Sequence, residues 1–187
     1  MLGMITVQIL KGLEYLHKVK KVTHRDIKPS NILADRNGAI KIADFGVSGG
    51  TAHTVESLKT WVGTLIYMCP NRINGESYFS DTDIWSLGIM LLEACTGKIP
   101  FRSQSRPKLE FLELRQRICE DPSPSLPPNE CYSDEFRDFI KICLTKEGGK
   151  RPAASQLLYH PYILKYNKID KVFLSKWIKT IPKIKGL

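Results

Sequence analysis

The stretch His24-Arg25-Asp26-Ile27-Lys28-Pro29-Ser30-Asn31, followed by Asp44-Phe45-Gly46, decides how the rest of this chain is read. It sets a carboxylate and a cation two residues apart, then an amide, then a second carboxylate. Magnesium takes oxygen ligands and is held by one or two carboxylates together with substrate phosphates. Asn31 and Asp44 offer such oxygens. Asp26 can accept a proton from a hydroxyl nucleophile, and Lys28 can stabilise a phosphoryl group that gains charge in the transition state. The pattern therefore points to phosphoryl transfer. Pro29 disfavours helix at Lys28, which suits a rigid loop.

Outward from this loop, Ile32-Leu33-Ala34 and Ile40-Lys41-Ile42 are short apolar runs joined by Asp35-Arg36-Asn37-Gly38. Asn-Gly between such runs predicts a hairpin. Upstream, residues 3–19 carry Ile5, Ile9, Leu13 and Leu16 at helical spacing, flanked by Leu10 and His17. Residues 47–66 lack hydrophobic periodicity and are rich in Gly, Ser and Thr, which predicts a mobile loop.

Asp81 to Thr96 reads as a helix that is apolar nearly all round, and so belongs at the centre of the domain. Thr96-Gly97 and Pro100 stop it. A further helix is predicted from Leu109 to Ile118. A Pro-rich surface connection follows at 121–128, and then a helix capped by Ser133 that runs to about Leu144, with Phe136, Phe139, Ile140 and Cys143 on its inner side. A short helix is expected from Ala153 to His160, ended by Pro161. The tail holds Val172, Phe173, Trp177, Ile178 and Ile181 among lysines. The fold class expected is mainly α with one small β-hairpin.

The chain has 187 residues and ordinary apolar and charged content, enough for one domain with a sizeable core. No apolar run reaches membrane-spanning length, and neither a transmembrane helix nor a secretory signal is expected. The five cysteines, Cys69, Cys95, Cys119, Cys131 and Cys143, are widely spaced with no C-x-x-C pair, so reduced cytosolic thiols are expected and no metal cluster. The net charge is +9, and residues 165–187 hold seven lysines against one acid, Asp170. Two readings stand for that tail: a solvated helix face, or a patch for an acidic partner.

Several segments together resemble the C-terminal lobe of a eukaryotic protein kinase, and within that family the MAP kinase kinases. They are T-H-R-D-I-K-P-S-N-I-L at 23–33, I-K-I-A-D-F-G-V-S-G at 40–49, V-G-T-L-I-Y-M at 62–68 and S-D-T-D-I-W-S-L-G at 80–88. Arg151-Pro152 and L-L-Y-H-P-Y at 157–162 complete the match. The resemblance implies a kinase-like C-lobe over 1–164 with a basic tail at 165–187, ATP and Mg2+ as cofactors, and a cytoplasmic protein. It implies Asp26 as catalytic base and Lys28 as the residue that steadies the γ-phosphate. Asn31 and Asp44 become magnesium ligands, and Ser30 and Leu33 line the nucleotide site. Thr64 would bond to the catalytic Asp and Lys. Asp83 would hold the catalytic loop, with an ordinary N-cap as the alternative.

The resemblance also implies activation by phosphorylation of Thr60 and of a partner hydroxyl. Animal members carry the partner four residues earlier, where this chain has Glu56. Plant-type members carry it six residues earlier, at Thr54, with Ser57 as a spare. A phosphate there can order the loop against an arginine such as Arg25. The implied partners are a MAP kinase substrate and an upstream MAP kinase kinase kinase, with no nucleic acid and no membrane. Phe173 to Trp177 resembles part of the docking segment for the upstream kinase.

Three departures qualify the resemblance. No G-x-G-x-x-G-x-V loop with its strand lysine lies in these residues, so the N-lobe is expected to be missing and the nucleotide site half-built; Lys41 lies in the strand before D-F-G and is not that lysine. The A-P-E glutamate is replaced by Asn71, which cannot neutralise the arginine matching Arg151. Stripping one partner from a buried pair costs about 3–5 kcal/mol, so Asn71 must hydrogen-bond Arg151 at some loss, or Arg151 must find another anion. Glu147-Gly148 replaces the usual Asp-Pro. The enzyme reading is therefore weighed against a catalytically inactive, kinase-like interaction module that binds a MAP kinase or an upstream kinase.

Overall fold

The computed structural model describes residues 1–44, 63–76, 79–101, 111–166, 168 and 171–181. The first helix, α1, spans Leu2–Glu14 and continues as a π-helical turn over Tyr15–Lys20. Its stripe buries Ile9, Leu13 and Leu16 as the spacing predicts, with Val7 and Leu10 beside them. Lys21 ends it in the left-handed region at φ 56°, and the Val22 amide reaches back to the Leu16 carbonyl at 3.0 Å.

A 3-10 turn at Pro29–Asn31 leads into β1 (Ile32–Ala34), which pairs antiparallel with β2 (Ile40–Ile42) in the register Ile32↔Ile42 and Ala34↔Ile40. The connecting turn is set by Asp35, whose Oδ1 accepts the amides of Asn37 and Ala39 at 2.8 and 2.9 Å. Gly38 sits at φ 83°, where a side chain would be strained. The hairpin packs on α1, and Gln8 bridges the two by donating to the Gly38 carbonyl and accepting from the Ile40 amide.

After a short α2 (Pro70–Ile73), α3 (Asp81–Thr96) runs through the middle of the molecule. Every residue from Asp81 to Leu92 is buried, as an all-round apolar helix requires. Gly97 at φ 64° caps its end. Then come α4 (Phe111–Glu120), α5 (Asp134–Cys143), α6 (Ala154–Leu157), α7 (Pro161–Leu164) and α8 (Lys171–Thr180). Ser133 caps α5 by accepting the Phe136 amide at 3.3 Å, and Phe136, Phe139, Ile140 and Cys143 face inward. Gly88 lets α3 close on α5: a Cβ there would lie 2.8 Å from Leu144 and 2.9 Å from Cys143.

Three expectations are corrected, and that of a Pro-rich surface connection is met. Residues 63–65 form a helical turn, and Leu65 and Ile66 enter the core, so the end of the expected mobile loop is anchored. The Pro-rich stretch is a surface connection pinned at Leu126, which is buried and whose carbonyl accepts from Arg137. Pro161 does not end a helix over 153–160. It opens α7 at the first position, where its missing N–H costs nothing, and His160 caps that helix through the Tyr162 amide. In α8 the inward residue is Leu174, while Val172, Phe173 and Ile181 are exposed.

Candidate active site

The 22–31 loop is fixed from beneath by Asp83, which is fully buried in the first turn of α3. Its Oδ1 accepts the Arg25 amide at 2.8 Å. Its Oδ2 accepts the His24 amide at 2.8 Å and His17 Nε2 at 2.7 Å. Asp83 is thus a tether for the loop and not a mere N-cap of its own helix. The bonds hold Arg25 at φ 70°, a left-handed conformation that an arginine adopts only under constraint. The His24 ring spans to the second strand: Nε2 donates to the Ala43 carbonyl at 3.0 Å and Nδ1 accepts the Asp26 amide at 3.3 Å.

Above this base the functional groups converge. Lys28 Nζ lies 2.9 Å from Asp26 Oδ2 and donates to Thr64 Oγ1 at 3.1 Å. Asn31 Nδ2 donates to the Asp26 backbone carbonyl at 2.8 Å and to Asp26 Oδ2 at 2.9 Å. One carboxylate oxygen of Asp26 is therefore fully engaged. The other, Oδ1, is buried and accepts no hydrogen bond among the described residues. A buried acceptor without a donor costs free energy.

Asn31 turns its Nδ2 inward, which leaves its Oδ1, among the described residues, with a 3.4 Å contact from Ser30 Oγ. Its backbone carbonyl accepts the Ala43 amide at 2.8 Å, which brings Asp44 up alongside. Asp44 is exposed at φ 54°. An amide oxygen just before β1 and a carboxylate just after β2 are a hard-oxygen donor set that fits magnesium. Ser30 is exposed and Leu33 projects from β1 at 54% exposure, on the open side of the hairpin. Thr54 and Thr60, with the Ser57 spare, lie outside the described residues.

Thr64 belongs to the anchored segment that leads into α2. A cavity of about 350 Å³ lies against it, lined by Lys28, Pro29, Ser30, Gly63, Thr64, Tyr67 and Glu93. Tyr67 OH donates to Glu93 Oε2 at 2.5 Å, and burial together with that carboxylate pushes the phenol up. Ser86 Oγ donates to the Tyr67 carbonyl at 2.7 Å. From α2, Arg72 donates to the Arg25 carbonyl at 2.5 Å.

Both alternatives posed for Arg151 occur together. Asn71 Oδ1 accepts from its NH2 at 3.0 Å, and Asp81 Oδ2 supplies the charge at 2.9 Å. Sequence reasoning missed Asp81, Tyr67, Arg72 and Glu93 as parts of the site, and took His17 only as the flank of a stripe. Glu93 left a signal, since it is the sole charged residue between Ile84 and Cys95. Asp81 left none beyond its place two residues before Asp83.

Residues 1–163 match the protein kinase domain. The mitogen-activated protein kinase kinase 1c of Physcomitrium patens is 43% identical over 94% of this chain and 51% of its own length. The mitogen-activated protein kinase kinase 3 of Arabidopsis thaliana is 44% identical over 93% of the chain and 32% of its own length. The dual specificity mitogen-activated protein kinase kinase dSOR1 of Drosophila melanogaster is 38% identical over 95% and 49%. The chain thus spans about half or less of the length of these relatives. Among the described residues, no helix is long and apolar enough to cross a membrane.

Proposed function

The chain belongs to the protein kinase family, and we propose that it carries the phosphoryl-transfer half of a MAP kinase kinase. In this reading the protein moves the γ-phosphate of ATP to Thr and Tyr hydroxyls of a MAP kinase, and an upstream kinase switches it on through Thr54 and Thr60. It works in the cytoplasm, with the kinase region over 1–164 and the tail from 165 acting in docking. The motif resemblance and the relatives' names support the reading.

Each residue has a distinct task. The Asp26 carboxylate accepts the proton of the incoming hydroxyl. Lys28, shared between Asp26 and Thr64, offers its remaining N–H to the transferring oxygens and holds them in line. Asn31 Oδ1 and Asp44 would hold magnesium, and Ser30 and Leu33 would face the nucleotide. Protein kinases as a family use ATP and Mg2+; when bound, the metal neutralises charge on the phosphates. Asp83 and His24 keep the loop rigid, so that little reorganisation is needed during transfer.

The convergence of Lys28 Nζ and Asn31 Nδ2 on the half-buried Asp26 carboxylate carries this reading. The test measures transfer of labelled phosphate to a MAP kinase by the protein at its natural length. Asp26→Asn keeps an oxygen toward Lys28 and removes the base, so the rate falls about 10²–10⁴-fold with folding unchanged. Equal rates in the two proteins, or no transfer by the wild type, would refute the reading and favour the binding module.

A further inference from the structure

Arg151 presents a problem in physical chemistry. Its side chain is fully buried, and a buried cation must be paired. The residue at the position where the resembling kinases carry a glutamate is Asn71, which accepts a hydrogen bond but brings no charge. The charge comes from the first residue of α3. Asp81 Oδ2 lies 2.9 Å from Arg151 NH2 and 3.1 Å from its Nε, so a single oxygen bridges the guanidinium fork. The same oxygen accepts the Gly149 amide at 3.1 Å, and Oδ1 accepts the Phe79 amide at 3.3 Å. Burial pushes this carboxyl up, but the Gly149 amide and the Arg151 charge outweigh burial and hold it below its ordinary value.

A second observation binds Asn71 into the same arrangement. A Cβ on Gly148 would stand 2.9 Å from Asn71 Nδ2 and 3.0 Å from its Cγ. A side chain at 148 would therefore press on the Asn71 amide and shift it. Gly148 and Asn71, separate in the sequence, are thus packed against each other.

We infer that the counter-charge of Arg151 has moved from position 71 to position 81, and that Asp81 is the positioning residue that seats α2, and through it Thr64 and Arg72, against the phosphoryl-transfer loop. The route is short. Asn71 and Arg72 are neighbours in α2, and Arg72 donates to the Arg25 carbonyl. Thr64 lies six residues before α2 and accepts from Lys28. Asp81 stands two residues from Asp83, so one helix turn fixes the catalytic loop and the segment that faces it. On this account Asn71 does not disable the site. The catalytic part of the inference rests on the function proposed above; the relocation of charge does not.

The test is a double-mutant cycle on the natural-length protein with Asp81→Asn, Asn71→Glu and the pair. Asp81→Asn strands the Arg151 charge, so it lowers the melting midpoint and speeds amide exchange over Thr64–Arg72. It also raises KM for the protein substrate by about tenfold while KM for ATP stays within about twofold. Asn71→Glu alone crowds a carboxylate against Glu76 and Asp81 and lowers the midpoint. In the Asp81→Asn background the same change raises it and restores the substrate KM, a reversal of sign that only a shared cation explains. Wild-type midpoint, exchange and KM in Asp81→Asn would overturn the inference, as would Asn71→Glu lowering the midpoint in both backgrounds. If Asp81→Asn alone does not fold, the pair decides: a folded pair supports the relocation and an unfolded pair overturns it. A wild type without kinase activity sinks the functional reading alone, and midpoint and exchange still judge the charge and the seat of α2.

Discussion

Replacing Asp83 by Asn is the sharpest test of how the 22–31 loop is held. The carboxylate makes three hydrogen bonds, to the Arg25 amide through Oδ1 and to the His24 amide and His17 through Oδ2. The amide of Asn offers one oxygen. In the better orientation it keeps the His24 and His17 bonds and turns an NH2 toward the Arg25 N–H, donor against donor. A charge-assisted bond contributes about 1.5–3 kcal/mol, and a buried unmet donor costs about 1–3 kcal/mol. The two surviving bonds also weaken, since a neutral acceptor is roughly half as strong. The expected loss is about 2–4 kcal/mol, a large share of a total near 5–15 kcal/mol. Without its tether, Arg25 leaves φ 70° and the Asp26 carboxylate next to it shifts. A misplacement of about 1 Å costs on the order of 10²-fold in rate. Urea unfolding gives the stability change, amide exchange at His24 and Arg25 gives its location, and labelled-phosphate transfer gives the rate. A loss under about 0.5 kcal/mol with unchanged exchange at Arg25 would refute the tether, because no rearrangement of a single oxygen keeps all of those bonds.

Other perturbations follow from the same geometry. Gly38→Ala places a methyl 2.5 Å from the Lys171 carbonyl at φ 83°, so the backbone of α8 must lift; faster exchange over Lys171–Thr180 with α3 still protected is the expected result. Gly88→Ala drives a Cβ to 2.8 Å from Leu144 and should cost about 1–3 kcal/mol in urea unfolding. The stability difference between wild type and Asp81→Asn should depend on pH. The Asp81 carboxyl titrates below its ordinary 3.8 when folded, so its contribution is complete above about pH 4 and is lost as pH falls through the folded value; chemical denaturation from pH 7 to pH 2 should show the two curves converging only at the acid end. Native thiol titration should find Cys131 fast and Cys143 silent, since Cys131 is exposed while full burial pushes the Cys143 thiol up.

Much of the fold was legible because its signals are local. The bounds of α3, the Ser133 cap and the Asn37-Gly38 turn each follow from residues adjacent in the chain. The misses are cases where a distant contact overrode a local cue. Pro161 can end one helix or open the next, and the His160 side chain decides by capping the Tyr162 amide. Leu65 and Ile66 sit in a polar, aperiodic stretch, yet the core takes them. Leu174 is buried because the Arg36–Gly38 turn lies under it, where Ser175 Oγ also donates to the Arg36 carbonyl at 2.6 Å. The pairing of Asn71 with Gly148 joins residues 77 positions apart, and no pattern in one sequence links them.

The polar residues of α3 explain why the site was readable at all. A helix buried on every side can carry a polar group only if that group is met by a partner, so each polar exception names a connection. Asp81 meets Arg151, Asp83 meets the catalytic loop, Ser86 meets the Tyr67 carbonyl and Glu93 meets the Tyr67 hydroxyl. Ser86 and Glu93 stand two turns apart on one face and grip the same tyrosine at both ends. The segment carrying Thr64, the loop carrying Asp26 and the distant Arg151 are thus referred to one rigid axis. Thr82 Oγ1 and Trp85 Nε1 are the exceptions, buried without a partner among the described residues. Trp85 offers Arg151 its ring instead, 5.8 Å from the guanidinium carbon, so even this residue serves the cation whose counter-charge Asp81 supplies.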